Sequence, residues 1–281
     1  MRRGAFALFD ALGFKGIWAR PECKNDPSVV FAKMRELKEV AERARSEAED
    51  QLADLSAETG FKIAAKVAFL SDTVAVGAWP VDSQPEVARH VADAVPLFAA
   101  AHIAWTLAAR ALETPPTLLY RGCVAVGDFD LDGEFILGPA VDEAAEHHEQ
   151  AEAAVVWLTP SAKRAIDAGL KDGTFKRDPA WMWFRWRVPL KGGRAFETYV
   201  VNPFAGTSSK EERDVTRRDI LRAFASDALD VQIKRQNTLG LLEAHKQDVK
   251  AHESLLWLRE RTQERKKRAA ALPQAAAPTP A

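Results

Sequence analysis

Two β-rich segments separated by only two residues constrain the fold of this chain more than any other feature of its sequence. Phe61–Leu70 and Thr73–Trp79 are predicted to form a hairpin, although the turn between them is tight and lacks glycine. Long helical patterns flank this hairpin. Ser28–Glu58 has apolar residues near a 3.6-residue period, and Pro85–Leu112 is apolar almost all round. The pattern predicts strands with long helices packed on them.

The elements around the hairpin complete a β-α-ββ-α-β order. A buried strand is predicted at Gly4–Phe9 and another at Thr117–Val126. This order predicts an α+β fold in which helices cover a largely antiparallel sheet. Further predicted elements are a loop at 16–27, a turn-rich connection at Asp128–Glu134, a strand at Phe135–Leu137, a helix at Pro139–Ala153, a strand at Ala154–Leu158, a helix at Pro160–Leu170, and an antiparallel pair at Trp181–Val188 and Ala195–Val201.

The chain divides into three predicted segments. Residues 1–205 form the main domain, and a polar stretch after it marks the boundary. Residues 206–268 are predicted to be a helical C-terminal extension, with helices at Thr216–Lys234 and Leu239–Arg268 and a basic, solvated end. Residues 269–281 are rich in alanine and proline and are predicted to be disordered.

Composition excludes several classes of protein. The 281 residues are 47% hydrophobic and 28% charged, which is typical of a globular chain. The net charge of −1 and the lack of a basic patch in the main domain argue against a nucleic-acid partner. We expect no signal peptide and no membrane span, because polar residues interrupt the apolar run Ala92–Leu112. Two cysteines make no disulfide framework, so we expect a reduced, cytoplasmic protein.

Two aspartates occupy positions at which a metal site can form. Asp10 ends the first predicted strand and Asp72 lies at the hairpin tip, so a sheet that pairs these strands can bring them together. Two ionised carboxylates at close range repel unless they share a proton or bind a hard cation such as Mg²⁺ or Mn²⁺. Gly13, in the turn after Asp10, lets backbone N–H groups close on an anion. The pair predicts a nucleoside triphosphate site without a Walker loop, whereas either aspartate alone is an ordinary strand-end or turn residue.

Three motifs in this order resemble those of a known enzyme family. FALFDALGF resembles the FxDIxGF signature of class III nucleotidyl cyclases, and FLSDTVAV resembles their hairpin with the second metal aspartate. RGCVAVGDF followed by FILGPAVDEAAEHHEQA resembles their third segment, so the resemblance covers roughly residues 4–160. More narrowly, the RG strand and the GPAVDEAAE stretch are similar to the pyrimidine (uridylate or cytidylate) cyclases of bacterial Pycsar anti-phage systems. The resemblance implies a ferredoxin-like cyclase catalytic domain.

The resemblance also implies a reaction and the residues that perform it. A nucleoside triphosphate becomes a 3′,5′-cyclic nucleotide and pyrophosphate by two-metal catalysis. Asp10, Asp72 and the carbonyl of Ala11 then hold two Mn²⁺ or Mg²⁺ ions per site. The remaining implied site residues are Arg121 as a catalytic residue and Leu12, Gly13, Phe14, Lys15 and Phe135 as substrate-binding residues.

Family members act as head-to-tail homodimers with two sites at the interface. By resemblance, we expect the metal motifs to come from one protomer and Arg121 with the Phe135–Glu146 region to come from the other. A mixture of an Asp72 variant with an Arg121 variant would then recover partial activity.

Four positions depart from the purine cyclases. Phe135 stands where adenylyl cyclases have a base-reading aspartate, and Ala68 where they have a base-reading lysine. Asp142 and Glu146 replace their transition-state asparagine and arginine. These departures argue against purine recognition by the usual pair of side chains. The resemblance implies a pyrimidine substrate, UTP before CTP, although no residue decides between the two, and a cyclic product that acts on a separate effector in anti-phage defence. A carboxylate at 146 cannot stabilise developing negative charge, so another cation must; the candidates are Arg121, Lys15 and Lys66.

Two other functions remain open on the sequence. The same departures fit a catalytically degenerate cyclase fold that senses a nucleotide or binds a partner through the C-terminal helices. A GGDEF or polymerase-like palm domain shares the paired carboxylates, but the chain has no GGDEF sequence. His147 and His148 are interpreted as a solvated helix face, and the tryptophans at 181, 183 and 186 as core and dimer contacts.

Overall fold

The computed structural model describes residues 1–59, 62–81, 89–132, 135–171, 182–207, 209–224 and 226–246. The predicted tail at 269–281, most of the helix predicted at Leu239–Arg268, and Trp181 lie outside these residues. The strands are β1 (Arg2–Leu12), β2 (Ile63–Leu70), β3 (Thr73–Pro80), β4 (Leu119–Leu131), β5 (Ile136–Leu137), β6 (Val156–Leu158), β7 (Trp183–Leu190) and β8 (Arg194–Val201). The helices are α1 (Pro21–Lys24), α2 (Ser28–Thr59), α3 (Arg89–Glu113), α4 (Pro139–His147), α5 (Pro160–Lys171), α6 (Lys210–Arg222) and α7 (Leu229–Lys246).

The first four strands form a ferredoxin-like sheet. Their spatial order is β2-β3-β1-β4, and each neighbouring pair is antiparallel. Helix α2 connects β1 to β2, and α3 connects β3 to β4, so each helix spans two strands that have a third between them. This arrangement confirms the predicted α+β fold and its β-α-ββ-α-β core.

The sheet continues beyond β4 in a mixed arrangement. Strand β6 lies parallel to β4, and β8 and β7 follow as antiparallel neighbours. The order of the whole sheet is therefore β2-β3-β1-β4-β6-β8-β7, with β5 paired to the end of β4. The sheet is largely antiparallel, as predicted, with the β4–β6 pair as the exception.

The predicted hairpin forms with the two-residue turn that its sequence spacing requires. Leu70 pairs with Thr73, which leaves Ser71 and Asp72 as the turn residues. Ser71 adopts a φ of 61°, a left-handed conformation that two-residue hairpin turns favour at this position. The turn therefore forms without the glycine that such positions usually hold.

Side-chain alternation along β1 divides the core into two layers. Phe9 belongs to the layer that contains α2 and α3, together with residues such as Leu37 and Ile103. Leu8 belongs to the opposite layer, where Ala140 and Ala144 of α4 pack. Because successive residues of a strand point to opposite faces, Asp10 lies on the same face as Leu8, the face on which α4 packs.

Helix α3 is long and apolar enough to cross a membrane by length and composition alone. The candidate window, Ala92–Glu113, has a mean hydropathy of 1.4, so the expectation that polar residues exclude such a window is wrong. Half of the window is buried, and α3 packs against α2, β1 and β3. These contacts are those of a core helix, which explains why its sequence is apolar on nearly every side.

Two segments predicted to be irregular contain regular structure instead. Strand β4 continues through Leu131, across the connection predicted at Asp128–Glu134, because Arg2 and Arg3 of β1 pair with Phe129 and Asp128. The loop predicted at 16–27 contains a 3-10 turn, Phe14–Ala19, followed by α1. In both places the local sequence pattern did not indicate the element that forms.

Helix α4 ends six residues earlier than the predicted end at Ala153. After His147 the backbone turns to bond with the β7–β8 connection: Lys191 N–H donates to the Gln150 carbonyl, and Glu152 N–H donates to the Pro189 carbonyl, each at 2.9 Å. These tertiary hydrogen bonds replace the helical ones. The chain from 148 to 150 is thereby placed beside the end of β1, as described below.

The C-terminal helices break at a different place from the predicted one. Helix α6 ends at Arg222 and α7 begins at Leu229, whereas the sequence predicts one helix over this break. Both helices pack on the main domain: the Thr238 hydroxyl accepts from Ala154 N–H at 2.9 Å, and Asn237 donates to the Glu152 carbonyl at 2.8 Å. A shared cluster consists of Leu119, Phe204, Ile220, Phe224 and Leu242. The division at residue 206 stays a prediction.

Candidate active site

Asp10 and Asp72 come together where β1 meets the β2–β3 turn. Asp10 pairs with Thr73 across the strands, and Ala11 N–H donates to the Asp72 carbonyl at 3.3 Å. The hydroxyl of Tyr120, the neighbour of Ala11 in β4, lies near both carboxyl groups. Burial raises its pKa first, and the charges of Asp72 and Asp10 raise that pKa further. The backbones of Asp10 and Asp72 are therefore neighbours in the fold, and the joint binding of a metal by their carboxylates stays a prediction.

Tyr120 is itself an unusual neighbour for two carboxylates. Its hydroxyl is buried and has no hydrogen-bond partner among the described residues. Its ring packs edge-to-face on Phe9, 5.7 Å away between centroids, in the layer of α2 and α3. The ring of Tyr120 therefore packs in the apolar layer of α2 and α3, while its hydroxyl lies near Asp10 and Asp72.

Arg121 lies directly opposite Asp10 in the β1–β4 pairing. Its Nε donates to Asp10 Oδ1 at 3.4 Å, and its Nη1 donates to the Glu149 carbonyl at 3.2 Å. Its Nη2 is 3.8 Å from Glu149 Oε2. Gly122 follows, and a Cβ there would lie 2.2 Å from the Leu8 carbonyl oxygen. The absence of a side chain at 122 lets β4 approach β1 closely beside the arginine.

The prediction that Arg121 serves the aspartates of the partner protomer is wrong for this fold. Arg121 and Asp10 of one chain are strand neighbours and form an ion pair. The physical reason is register: once β1 pairs with β4, the two residues face each other within the same subunit. Sequence spacing did not show this because the pair is 111 residues apart.

Burial and charge act in opposite directions on Asp10. Its side chain is 15% exposed, and the Arg121 side chain is 10% exposed. Burial raises the pKa of the Asp10 carboxyl, and Arg121 lowers it without cancelling the effect of burial. Asp10 is therefore a carboxylate whose charge one arginine compensates only in part.

Glu149 and His148 belong to this site although the sequence analysis did not place them there. Burial acts to raise the pKa of Glu149, but Arg121 and then Lys191 lower it below its ordinary value. His148 is close enough to Asp10 to lower the pKa of that carboxyl. No local pattern marks these two residues, because the tertiary hydrogen bonds that end α4 bring them to Asp10.

The interpretation of the two histidines as a solvated helix face is wrong. His147 lies with its ring 5.8 Å from the ring of Trp157, a fully buried residue. The side chain of His148 is only 19% exposed, and its Nδ1 is 2.9 Å from the Ala145 carbonyl oxygen. Of the predicted tryptophans, Trp183 is in the core as expected. Trp186 is partly buried and packs against the core layer that contains Ala140 and Ala144 of α4.

The turn after β1 has the conformation that an anion site needs. Leu12 ends the strand, and Gly13 adopts a φ of 75° before the 3-10 turn that begins at Phe14. The first N–H groups of such a turn point away from the chain without helical partners. Lys15 is exposed in this turn. Leu12, Gly13, Phe14 and Lys15 form the turn that follows Asp10, and their binding of substrate stays a prediction.

Phe135 and Lys66 are not beside the aspartates. Phe135 is 60% exposed and follows β4, at the end of the sheet opposite to Arg121. At about 3.4 Å per residue along β4, the separation is roughly 30 Å. Lys66 pairs with Gly77, which pairs with Phe6, so it lies on the Asp10 face but about 14 Å along the strands from Asp10. Arg121 is the candidate cation that the fold brings to Asp10.

The donors at this end of the sheet fit a hard divalent cation. Two carboxylates and a backbone carbonyl supply oxygen only, the ligand type that Mg²⁺ and Mn²⁺ prefer. The ion pair of Asp10 with Arg121 is loose, with Nε 3.4 Å from Oδ1. The described residues include no group of three or more His, Cys, Asp or Glu that could hold a metal. A metal bound here by Asp10 and Asp72 would take its other ligands from backbone, water or substrate.

Comparisons with known proteins give structural matches only. No family model matches the chain, and no curated protein matches it. The catalytic core of a rhodopsin-guanylyl cyclase with converted specificity, in complex with ATPalphaS, is 15% identical with a TM-score of 0.41, over 72% of this chain and 97% of that one. Adenylate cyclases from Trypanosoma brucei match at 14% and 0.35, over 72% and 90%.

A third match has the same character. A bacterial light-regulated adenylyl cyclase is 15% identical with a TM-score of 0.39, over 84% of this chain and 58% of that one. All three matched proteins are named as guanylyl or adenylyl cyclases. TM-scores below 0.5 carry no argument about chemistry, so the function of this chain has to be argued from its own residues.

Proposed function

We propose that this protein is a nucleotidyl cyclase of the class III type, which converts a nucleoside triphosphate into the 3′,5′-cyclic nucleotide and pyrophosphate. The observation that carries the proposal is the position of Asp10 and Asp72. At one end of a ferredoxin-like sheet, Asp10 near the end of β1 lies beside Asp72 in the β2–β3 turn, next to a glycine turn. Phosphoryl transfer needs positioning and charge neutralisation more than protein acids or bases, and this end of the sheet supplies both.

Each residue of the site has a definite role in this proposal. Asp10, Asp72 and the carbonyl of Ala11 hold two Mn²⁺ or Mg²⁺ ions. When bound, these ions lower the pKa of the ribose 3′-hydroxyl and neutralise the triphosphate. Backbone N–H groups of the turn at 12–14 bind phosphate oxygens, with Lys15 beside them. Arg121 supplies a positive charge at the Asp10 end of the sheet.

The proposed substrate is a pyrimidine nucleotide, UTP before CTP. The support is the absence of the side chains that read a purine base. By family resemblance, Phe135 and Ala68 stand where the purine cyclases have those side chains. An apolar side chain cannot accept or donate a hydrogen bond to the adenine edge, so purine discrimination would lack its usual partners.

The proposed assembly is a head-to-tail homodimer. In such a dimer the exposed Phe135 of one subunit can approach the Asp10 end of the other, whereas Arg121 stays with its own Asp10. The composite site then takes its metal ligands and arginine from one protomer and its base contact from the partner. We further propose a cytoplasmic second-messenger synthase in anti-phage defence, without nucleic-acid or membrane partners, whose product acts on a separate effector.

The test of this function is a product assay. Purified protein is incubated with Mn²⁺ and each of the four ribonucleoside triphosphates, and products are separated by mass. We expect a cyclic nucleotide from UTP, less from CTP, and loss of turnover in Asp72→Asn. The matched control is Asp227→Asn, an exposed aspartate between α6 and α7, which should keep wild-type rates. A purine product would overturn the pyrimidine proposal alone, and no cyclic product from any triphosphate would overturn the enzyme.

The anti-phage role has its own measurement. Cells that carry this gene with its effector should restrict phage plating, and the Asp72→Asn variant should not. Equal protection by the variant would separate defence from catalysis.

A catalytically degenerate, nucleotide-binding module is the second candidate. The observation that favours it is the Arg121–Asp10 ion pair, in which a protein cation already lies against the metal ligand. Glu146, where the purine cyclases have an arginine, is exposed on α4. For this candidate, a triphosphate would raise the melting temperature while no cyclic product or pyrophosphate formed.

A further inference from the structure

Arg121 lies between the carboxylates of Asp10 and Glu149, and its distances to both are longer than those of a typical ionic hydrogen bond. Its Nε is 3.4 Å from Asp10 Oδ1, and its Nη2 is 3.8 Å from Glu149 Oε2. Charge-assisted N–H···O⁻ bonds are typically about 2.7–2.9 Å long. The shortest hydrogen bond of the guanidinium, 3.2 Å from Nη1, goes to the backbone carbonyl of Glu149. The arginine is thus held by the backbone and shared loosely between two acids.

The two acids differ in what surrounds them. The Asp10 side chain is 15% exposed, whereas that of Glu149 is 54% exposed and also lies 3.5 Å from Lys191 Nζ and 4.0 Å from His148 Nε2. A small movement of the guanidinium would exchange a buried carboxylate for a solvated one. Loss of Arg121 from Asp10 without a replacement would leave a buried charge uncompensated, which is costly.

We propose that Arg121 holds the place of a metal ion on Asp10 and moves to the carboxylate of Glu149 when a divalent cation binds. Glu149 is the positioning residue of this exchange: it acts through Arg121 and does not touch the metal. The inference rests on the proposed function, since it requires a cation at Asp10 and Asp72. It adds a residue that the family resemblance does not assign and a competition that sets the affinity for the cation.

The exchange follows from elementary electrostatics. A divalent cation and a guanidinium on one buried carboxylate repel each other, so cation binding favours the arrangement in which Arg121 has moved to Glu149. Glu149 lowers the cost of leaving because it offers the arginine a second negative partner at nearly the same distance. Removal of Arg121 should therefore strengthen cation binding, and removal of the Glu149 charge should weaken it by fixing the arginine on Asp10.

The test measures Mn²⁺ affinity directly, from the electron paramagnetic resonance signal of free Mn²⁺, without substrate. We expect Arg121→Gln to bind Mn²⁺ about tenfold more tightly and Glu149→Gln to bind it about threefold more weakly than wild type. In the double variant, Glu149→Gln should have no further effect, because the residue it acts through is gone. Glu152→Gln, which removes a carboxylate three residues further along the chain than Glu149, is the matched control and should bind like wild type.

The outcomes separate the exchange from simple electrostatics and from the proposed function. If Glu149→Gln weakens binding equally with and without Arg121, or if Glu152→Gln weakens it as much, the exchange is overturned, since general loss of negative charge explains the data. If Arg121→Gln is well folded by circular dichroism yet binds no more tightly, the exchange is also overturned while the metal site stands. If wild type binds Mn²⁺ no better than Asp10→Asn, the metal site of the proposed function fails, and the exchange fails with it.

Discussion

The β1–β4 strand pair has an arginine–aspartate ion pair near each end, and the two differ in geometry. At one end, Arg3 donates from Nε and Nη2 to the two oxygens of Asp93, at 2.7 and 2.9 Å. At the other end, Arg121 and Asp10 are in contact only through Nε, at 3.4 Å. The arginine of the closer pair is the more exposed of the two. The Arg3 side chain is 35% exposed, and the Arg121 side chain is 10% exposed.

This difference is the reverse of what stability alone would produce. A buried ion pair stabilises a fold only when its geometry is close and complete, whereas an exposed pair costs little in either case. Arg3 satisfies that geometry, and its hydrogen bond to Asp93 raises the pKa of its guanidinium. Asp10 does not, and burial leaves its pKa raised despite Arg121. The Asp10 end therefore has a loose, buried ion pair, while the Arg3 end has a close pair with two hydrogen bonds.

The largest expected effect comes from exchanging the aspartate at each end. Asp10→Asn should lower cyclase turnover by about a thousandfold, because a neutral amide cannot hold a divalent cation as a carboxylate does. Asp93→Asn should keep turnover and lower the free energy of unfolding by about 1 kcal/mol, because it breaks a close pair. Initial rates and urea unfolding measure the two effects. Equal loss of turnover in both variants would contradict the proposal that Asp10 acts in catalysis and Asp93 only in stability.

The second prediction concerns which subunit supplies Arg121. Because Arg121 pairs with Asp10 of its own chain, co-expressed Asp72→Ala and Arg121→Ala chains should recover no activity. In a mixed dimer, one site would then lack Asp72 and the other would lack Arg121. Subunit exchange is verified with differently tagged chains. Recovery toward half of the wild-type rate would show that the arginine acts across the interface.

The smallest effect is on the pH dependence of stability. The folded-state pKa of Asp10 is raised above its ordinary value, so the native state binds the proton more tightly than the unfolded state does. Stability from this group is present at low pH and is lost as pH rises from near 4 through the raised pKa. Relative to wild type, Asp10→Asn should gain stability across that interval, by less than about 1 kcal/mol. Urea unfolding at pH 4 and pH 6 measures the change, and a difference of opposite sign would contradict the assignment.

Much of the fold could be predicted because its signals are local. The period of Ser28–Glu58, the two-residue spacing of the hairpin and the apolar run at Gly4–Phe9 each predict an element that the structure contains. The hairpin turn also fixes Asp72 close to β1, so the pair of aspartates could be inferred once the strands were ordered. Boundaries failed where backbone groups found partners far along the chain, as at the end of α4.

The sequence by itself determined the strand and helix order, the hairpin and the two aspartates, because periodicity and turn length act over a few residues. Only the tertiary structure decided that Arg121 pairs with Asp10 of its own chain and that Glu149 and His148 lie beside Asp10. Those contacts depend on the register of β1 against β4 and on hydrogen bonds from the β7–β8 connection to the segment after α4. Register and long-range hydrogen bonds are properties of the packed chain, and no short stretch of sequence encodes them.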